Sequence, residues 1–583
     1  MLNIVKNQEK TIMRIKSIFK KVCVIFFSYV SFAQNFSPQS PIFDGSPFES
    51  NMLSNEITLN WKTNIASTGI IKYGLTYQFT DSILVSDNSI DHSVQIKNLK
   101  PATAYYYQIG ASDSTGIRFA PIGIFSSASS ENSSGAMYVY FSKYVNTSVS
   151  LGENGTTANL SEKFIEKING ANYSIDIALY SFSGTVGNNI AQALIAAKNR
   201  GVKIRMIMES DNATSTALAT VKANGIPFID DKFDPLNNGS GLMHNKFGIF
   251  DFRNKDAAED DWVWFGSWNA TDPGTNNDAQ NAVTIQDQAL ANTYTIEFEE
   301  MWGSSTEIPN ASNSKFGPRK TNNTPHRFII NNVPVESYFS PSDGTTNQIV
   351  SKIQKATSSV HCALLSFTKD ELGQALIAKH NEGKKVRVLM DNSSDTGNEF
   401  LNLQNAGVDV LLKKNLGGFL HHKYAIIDAD KPSTTNIVVT GSHNWSNSAE
   451  TVNGENTIII QSKRIANLFF QEFKARYIEA GGVAQLTNIL SFDESKNNFY
   501  LNQNYPNPFN SETEISFNIL KEGKINLSVY DLLGREVKNL INENKIKGAH
   551  KIKFNSKDLP AGIYFFKLSG ENYSSVKTMH LIK

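Results

Sequence analysis

Two periodicities of apolar and polar residues alternate along the chain, and their boundaries divide it. From about residue 40 to 127, short runs with an apolar side chain at every second position (EITLNWKT, GIIKYG, HSVQIKNL, AYYYQIGASD, IGIFSS) are separated by Gly, Asn, Ser and Pro. Period-two alternation broken by turn residues predicts an all-β sandwich over 38–128. The pattern returns near the C-terminus with NYPNPFN, VYDLLGREV and LPAGIYFFKL, predicting a second small antiparallel sandwich over 498–583. Between these regions, apolar strand-length runs alternate with longer amphipathic stretches such as those around QALIA. That alternation predicts a central α/β body, a sheet with helices on its faces.

The beginning differs from all of this. Lys6, Lys10, Arg14, Lys16, Lys20 and Lys21 precede the apolar run Val22–Ala33, in which Ser31 and Ala33 sit like a small-residue cleavage signal. Residues 1–33 are predicted to be a secretory signal peptide. No other stretch approaches 18 apolar residues, so no membrane-spanning segment is expected in the mature chain.

Composition narrows the chemistry. With 55 Lys+Arg against 55 Asp+Glu, the net charge is zero, which removes the basic excess of a non-specific nucleic-acid coat. The 2 cysteines, Cys23 and Cys362, can build neither a disulfide framework nor a cysteine zinc site. Catalysis in this chain must rest on other ligands and nucleophiles.

An internal repeat fills the central region. YFSKYVN at Tyr140 returns as YFSPSDG at Tyr338, ALYSF as ALLSF, QALIA as QALIA, GVKIRMIME as GKKVRVLMD, MHNKFGIFD as LHHKYAIID, and GSWN as GSHN. The offset drifts from 198 residues (Tyr140 to Tyr338) to 175 (Gly266 to Gly441) without a change of order. Two copies of one unit are therefore expected, at 136–310 and 325–482, forming a pseudo-twofold body whose equivalent loops meet at a shared seam.

Each copy carries H-x-K-x4-D: His244, Lys246 and Asp251 in the first, His421, Lys423 and Asp428 in the second. On a strand, residues two apart share a face, so each motif presents one imidazole beside one ammonium. An imidazole is a competent nucleophile toward phosphorus, and Lys supplies a fixed positive charge for non-bridging oxygens. Ser267 and Asn269, and Ser442 and Asn444, add hydroxyl and amide donors from the following strand end. Asp251 and Asp428 lie five residues beyond Lys, an odd spacing that turns them from the phosphate-facing side toward a structural role.

Paired H-x-K-x4-D motifs followed by GSxN resemble the phospholipase D superfamily. The resemblance implies a phosphodiesterase that needs neither a metal nor a cofactor and works through a covalent phosphohistidine, in which the catalytic set is His244, Lys246, Asp251, His421, Lys423 and Asp428. It assigns the nucleophile to His244 and the general acid, later base, to His421, although the two roles can be exchanged on sequence alone. It implies that Lys246, Lys423, Asn269 and Asn444 hold the phosphoryl oxygens, with Ser267 and Ser442 as nearby donors. It also implies a His-orienting Glu on a later strand. Glu455 fits that place in the second copy, whereas the first copy has Gln280 there, with Asp278 close by. An amide orients an imidazole without stabilising its cation, so the copies are unequal.

The flanking regions carry resemblances of their own. Trp61, KYG and LKPATAYYYQI resemble a fibronectin type III module, here expected to act as spacer or interaction domain. NYPNPFN, DLLGREV and AGIYFFKL, in order, resemble the type IX secretion sorting domain of Bacteroidetes. This implies handling by type IX secretion machinery, and a secreted or surface-attached protein. For the substrate, Trp262, Trp264, Trp268, Trp302 and Trp445, with Phe419 and Leu420 beside His421, favour a phospholipid. The alternatives are a secreted nuclease, with nucleic acid as substrate only, and a catalytically weak surface binding protein.

Overall fold

A computed structural model of the chain describes residues 41–114, 116–255, 257–430, 436–483, 499–519, 522–531, 534–570 and 573–582. The predicted signal peptide and Cys23 lie outside these residues. The chain divides into two compact units, one running to Glu131 and including Asn323–Phe328, the other comprising the rest.

The first unit is a β-structure wrapped around Ile57, Leu59, Trp61, Ile71, Ile96, Tyr107 and Phe125. EITLNWKT and GIIKYG, separate strands by their alternation, are one continuous strand, Glu56–Gly74. It pairs with Asp81–Lys97 along its length and with Ala104–Asp113 over its second part. Register shifts between Lys62 and Gly69 bend it without ending it. Trp61 stacks on His92 and is buried, and Tyr105 accepts a hydrogen bond from Lys100 N at 2.9 Å, so these aromatics serve the core.

In the second unit each repeat forms one mixed sheet. The first contains β1 (Met137–Phe141), β2 (Ser174–Leu179), β3 (Lys203–Met208), β4 (Phe228–Asp230), β5 (Lys246–Phe250), β6 (Trp262–Gly266) and β7 (Asn281–Gln286), in the order β4-β3-β2-β5-β6-β7-β1. The second contains β8 (Val333–Ser340), β9 (Ser359–Leu364), β10 (Lys385–Met390), β11 (Asp409–Leu412), β12 (Lys423–Ile427), β13 (Ile437–Gly441) and β14 (Glu455–Gln461), in the equivalent order β11-β10-β9-β12-β13-β14-β8. The β2-β3-β4 and β9-β10-β11 sections are parallel, and the motif strands β5 and β12 join them antiparallel. The central strands are buried on both faces, hence their unbroken apolar runs.

QALIA lies in α1 (Gly184–Asn199) and again in α2 (Asp370–Asn381), each packed on the outer face of its sheet. Two long helices, α3 (Gln288–Trp302) and α4 (Lys463–Glu479), end the repeats and pack between the sheets. Phe141 packs edge-on against Phe469 of α4, and Tyr294 of α3 against Phe339 of β8, so each helix also touches the opposite repeat.

The C-terminal region folds into a three-stranded and a four-stranded antiparallel sheet around Ile515, Phe517, Leu527, Val529, Phe554, Phe566 and Leu568. Among the described residues no helix is long and apolar enough to cross a membrane.

Candidate active site

The motif histidines sit just before β5 and β12, and each is docked on the opposite repeat. His244 N donates to Gly454 O at 2.9 Å, and His421 N donates to Ala279 O at 2.9 Å. The residues before them are gripped from their own repeat: Met243 N donates to Glu209 Oε2 and Leu420 N to Asp391 Oδ1, both at 2.7 Å. Glu209 and Asp391 close the repeated strands GVKIRMIME and GKKVRVLMD. Their recurrence as an acidic residue in register is the signal in the sequence that marks them.

The side chains converge. His244 Nδ1 lies 3.0 Å from Glu455 Oε2. His421 Nδ1 meets two acceptors, Ser267 O at 3.0 Å and Gln280 Oε1 at 2.9 Å. A nitrogen facing a carbonyl carries the proton, so His421 holds its neutral form as the Nδ1–H tautomer with Nε2 free; the carboxylate favours the same for His244. The lysines are held alike, Lys246 Nζ donating to His244 O at 3.0 Å and Lys423 Nζ to His421 O at 3.1 Å. Both histidines and both lysines are buried.

Burial and mutual repulsion set the charges. Burial pushes His244 down to about 4, with Lys246 and Lys423 adding to the shift and Glu455 opposing it. His421 is pushed well down by burial, then by Lys423, Lys246 and His244. Lys246 also falls well below the ordinary lysine range, through burial and Lys423, while burial brings Lys423 to about 7. Burial works to raise Glu455, but the His244 imidazole beside it holds it at about 2, so it stays ionised. Four groups that become cationic on protonation face one another beside the single carboxylate of Glu455 that contacts them directly, a cluster suited to a phosphate.

The other expected residues divide. Asn269 and Asn444 are half-buried at the ends of β6 and β13. Asn444 Oδ1 accepts from Ser366 N at 2.9 Å, and the Asn444 backbone donates to Glu455 Oε2 at 3.0 Å. The serine hydroxyls are already engaged: Ser267 Oγ donates to Gln280 Oε1 and accepts from Asn281 N, and Ser442 Oγ donates to Asn456 Oδ1 and accepts from Asn456 N. Asp251 and Asp428 stand past the far ends of the motif strands with φ of 66° and 59°. Their carboxylates accept backbone N–H groups of residues 172–174 and 357–359, tying the motif strand to the start of β2 or β9.

Two features of the site carry no signal in the spacing of the motifs. Tyr180 packs edge-on against His244 with ring centroids 4.5 Å apart, and Lys246 Nζ lies 4.8 Å from its ring centre. Behind His421, His422 Nε2 contacts Glu472 Oε1 and Nδ1 contacts Asn281 Nδ2, both at 3.0 Å, joining the repeats through a buried polar chain. The tryptophans do not line a mouth. Trp264, Trp268, Trp302 and Trp445 are buried, Trp264 and Trp268 in the core of the first repeat and Trp445 in that of the second, and Trp262 lies under Lys167 with Tyr138 beside it. Of the apolar pair beside His421, Phe419 is 53% exposed and Leu420 is buried.

Comparisons with known proteins identify the family of the central region. A family model described as "Cardiolipin synthase, PLD-like domain" matches residues 164–302 and again 349–477. The phospholipase D of Rickettsia prowazekii (strain Madrid E) is 32% identical over 151 residues, covering 26% of this chain and 70% of that protein. The chain belongs to the phospholipase D superfamily. Among its relatives, the mouse mitochondrial cardiolipin hydrolase is 31% identical over 135 residues, 23% of this chain and 58% of the relative, so this phospholipase D-like chain spans less than two thirds of that protein. A solved structure of Nuc, a phospholipase D family member from Salmonella typhimurium, is 27% identical and covers 25% of this chain and 94% of its own, with a TM-score of 0.22. The relatives support a phosphodiesterase-type enzyme at the level of the superfamily. The flanks match a "Purple acid Phosphatase, N-terminal domain" over 49–129, a fibronectin type III-like fold, and a "Secretion system C-terminal sorting domain" over 503–582. The latter indicates export by type IX secretion to the cell surface or beyond.

Proposed function

We propose that this protein is a secreted phospholipase D-type phosphodiesterase acting on phospholipids through a covalent phosphohistidine. One observation carries the reading: two His–Lys pairs from different repeats meet, each imidazole engaged at Nδ1 and free at Nε2.

In the first step His244 Nε2 attacks phosphorus, the bond from phosphorus to the leaving oxygen breaks, and His421 gives its Nε2 proton to that oxygen. In the second, His421 takes a proton from water or an alcohol, whose oxygen attacks phosphorus as the phosphorus–nitrogen bond breaks. His244 is then free and His421 protonated, ready for another turnover. Depressed proton affinity keeps His244 nucleophilic at neutral pH. The incoming phosphate favours protonation of the groups around it, including His421. Lys246, Lys423, Asn269 and Asn444 hold the non-bridging oxygens; Ser267 and Ser442 brace the strand ends, and Asp251 and Asp428 anchor the motif strands.

For the substrate, the buried tryptophans no longer support a lipid, and the exposed Phe419 beside His421 does. Zero net charge weighs against nucleic acid. The test is a panel of phosphatidylcholine, cardiolipin, and single-stranded and duplex DNA, assayed with chelator. Lipid hydrolysis that survives chelator and is lost in both His244→Ala and His421→Ala supports the reading. DNA cleavage without lipid hydrolysis replaces the substrate, and near wild-type turnover by either variant overturns the shared-site mechanism.

A further inference from the structure

The repeats are not equal at the position that orients each histidine. Asn453 and Glu455 in the second repeat correspond to Asp278 and Gln280 in the first, each pair leading into the strand that follows the GSxN turn. Asn453 Oδ1 accepts from Leu242 N at 3.0 Å, and Asp278 Oδ1 accepts from Phe419 N at 2.8 Å. Leu242 and Phe419 both stand two residues before a motif histidine. Within each pair a second contact runs the opposite way: Asn453 Nδ2 donates to Glu455 Oε1 at 3.3 Å, whereas Gln280 Nε2 donates to Asp278 Oδ2 at 3.4 Å. The carboxylate and the amide have exchanged places, while their backbone anchors have not moved.

We propose that Asp278 is a positioning residue for the reaction, which fixes the Gln280 amide and through it the ring orientation and tautomer of His421, leaving His244 alone in direct contact with a carboxylate. The proposal rests on the reading of His244 and His421 as the reacting pair. An ionised carboxylate only accepts, so Asp278 draws Nε2 of Gln280 to itself and turns Oε1 toward His421. Ser267 Oγ, donating to that same oxygen at 2.9 Å, enforces the same orientation. Asp278 and Gln280 are both buried, which protects this short chain of hydrogen bonds from water.

The exchange suits unequal tasks. A nucleophilic imidazole bears positive charge while phosphorus is attached to it, and an adjacent carboxylate stabilises that state. A general acid must release its proton, and an amide neighbour holds the imidazolium less tightly than a carboxylate would. The other charged groups around His421 are Lys423 on its own strand and Lys246 and His244 from the opposite repeat, all opposing protonation. Lys143 and Lys413 face Asp278, and Asp391 lies beside it.

The experiment measures kcat and KM against pH for the full-length protein with bis(p-nitrophenyl) phosphate. Wild type is compared with Gln280→Glu, Asp278→Asn and the double exchange Asp278→Asn/Gln280→Glu, which gives the first repeat the pattern of the second. A carboxylate against His421 should move the alkaline limb of kcat/KM to higher pH by about one unit in Gln280→Glu and in the double variant. Asp278→Asn should lower kcat about tenfold with KM nearly unchanged and move that limb to lower pH. An alkaline limb unmoved in both Gln280→Glu and the double variant overturns the proposal, whether or not Asp278→Asn folds. Wild-type turnover by His421→Ala on this substrate overturns instead the reading of the site on which the proposal depends.

Discussion

Glu455 Oε2 lies 3.0 Å from Nδ1 of His244, although the two residues belong to different repeats. The partner of the first imidazole is thus encoded some two hundred residues downstream, and the orienting contact exists only once both repeats have assembled.

The Glu455–His244 contact makes a kinetic prediction. Glu455→Gln keeps the size and the acceptor oxygen but removes the charge beside His244, the nucleophile proposed above. We expect kcat on a soluble phosphodiester to fall about 100-fold with KM changed little, measured by steady-state kinetics. An unchanged kcat would show that the carboxylate contributes nothing to the reacting imidazole.

Anion binding should take up protons. His421 and Lys246 sit well below their ordinary ranges, with Lys423 at about 7, and an anion placed among them raises all three. Protons therefore bind with the ligand, and affinity falls as pH rises. Titration calorimetry with inorganic phosphate at pH 6 and pH 8, in buffers of different ionisation enthalpy, should show tighter binding at pH 6 and net proton uptake. Equal affinity at both values would contradict it.

His361, which takes no part in the site, should govern part of the acid sensitivity. It is fully buried against Phe470 and Phe473, and neither ring nitrogen has a hydrogen-bond partner among the described residues. Burial pushes its proton affinity far below 6.5. As pH falls below 6.5 the unfolded chain binds a proton that the folded chain refuses, so stability is lost on acidification. His361→Leu should be nearly neutral at pH 8 and stabilising by about 1 kcal/mol or more at pH 5, read from denaturant midpoints.

The motif aspartates should behave as anchors. Asp428→Ala leaves the backbone N–H groups of Thr357, Ser358 and Ser359 without their acceptor, which should cost about 2–4 kcal/mol. Asp428 stays below its ordinary range because those hydrogen bonds outweigh burial, so this stability is present above the unfolded value near 4 and lost below it. The variant should melt earlier yet retain most of its kcat well below its melting temperature. Loss of turnover in a fully folded variant would reassign Asp428 to the chemistry.

Much of this was legible in the sequence because duplication repeats a signal in register. The motif strands, the QALIA helices, the flanking β-domains and the parity of Asp251 and Asp428 all follow from local spacing. Which repeat orients which histidine was not legible, since spacing within a repeat carries no information about the pairing of Gly454 with His244 or Ala279 with His421. The tryptophans misled for a related reason: nearness in sequence to GSxN says little when adjacent residues face opposite ways. Trp268 lies in the core of the first repeat, while the backbone carbonyl of Ser267 beside it meets His421.

Because each histidine hangs by its backbone from the opposite repeat, neither repeat contains a working centre of its own. If the two pairs act together as proposed, a chain severed between the repeats regains turnover only through reassociation of the pieces.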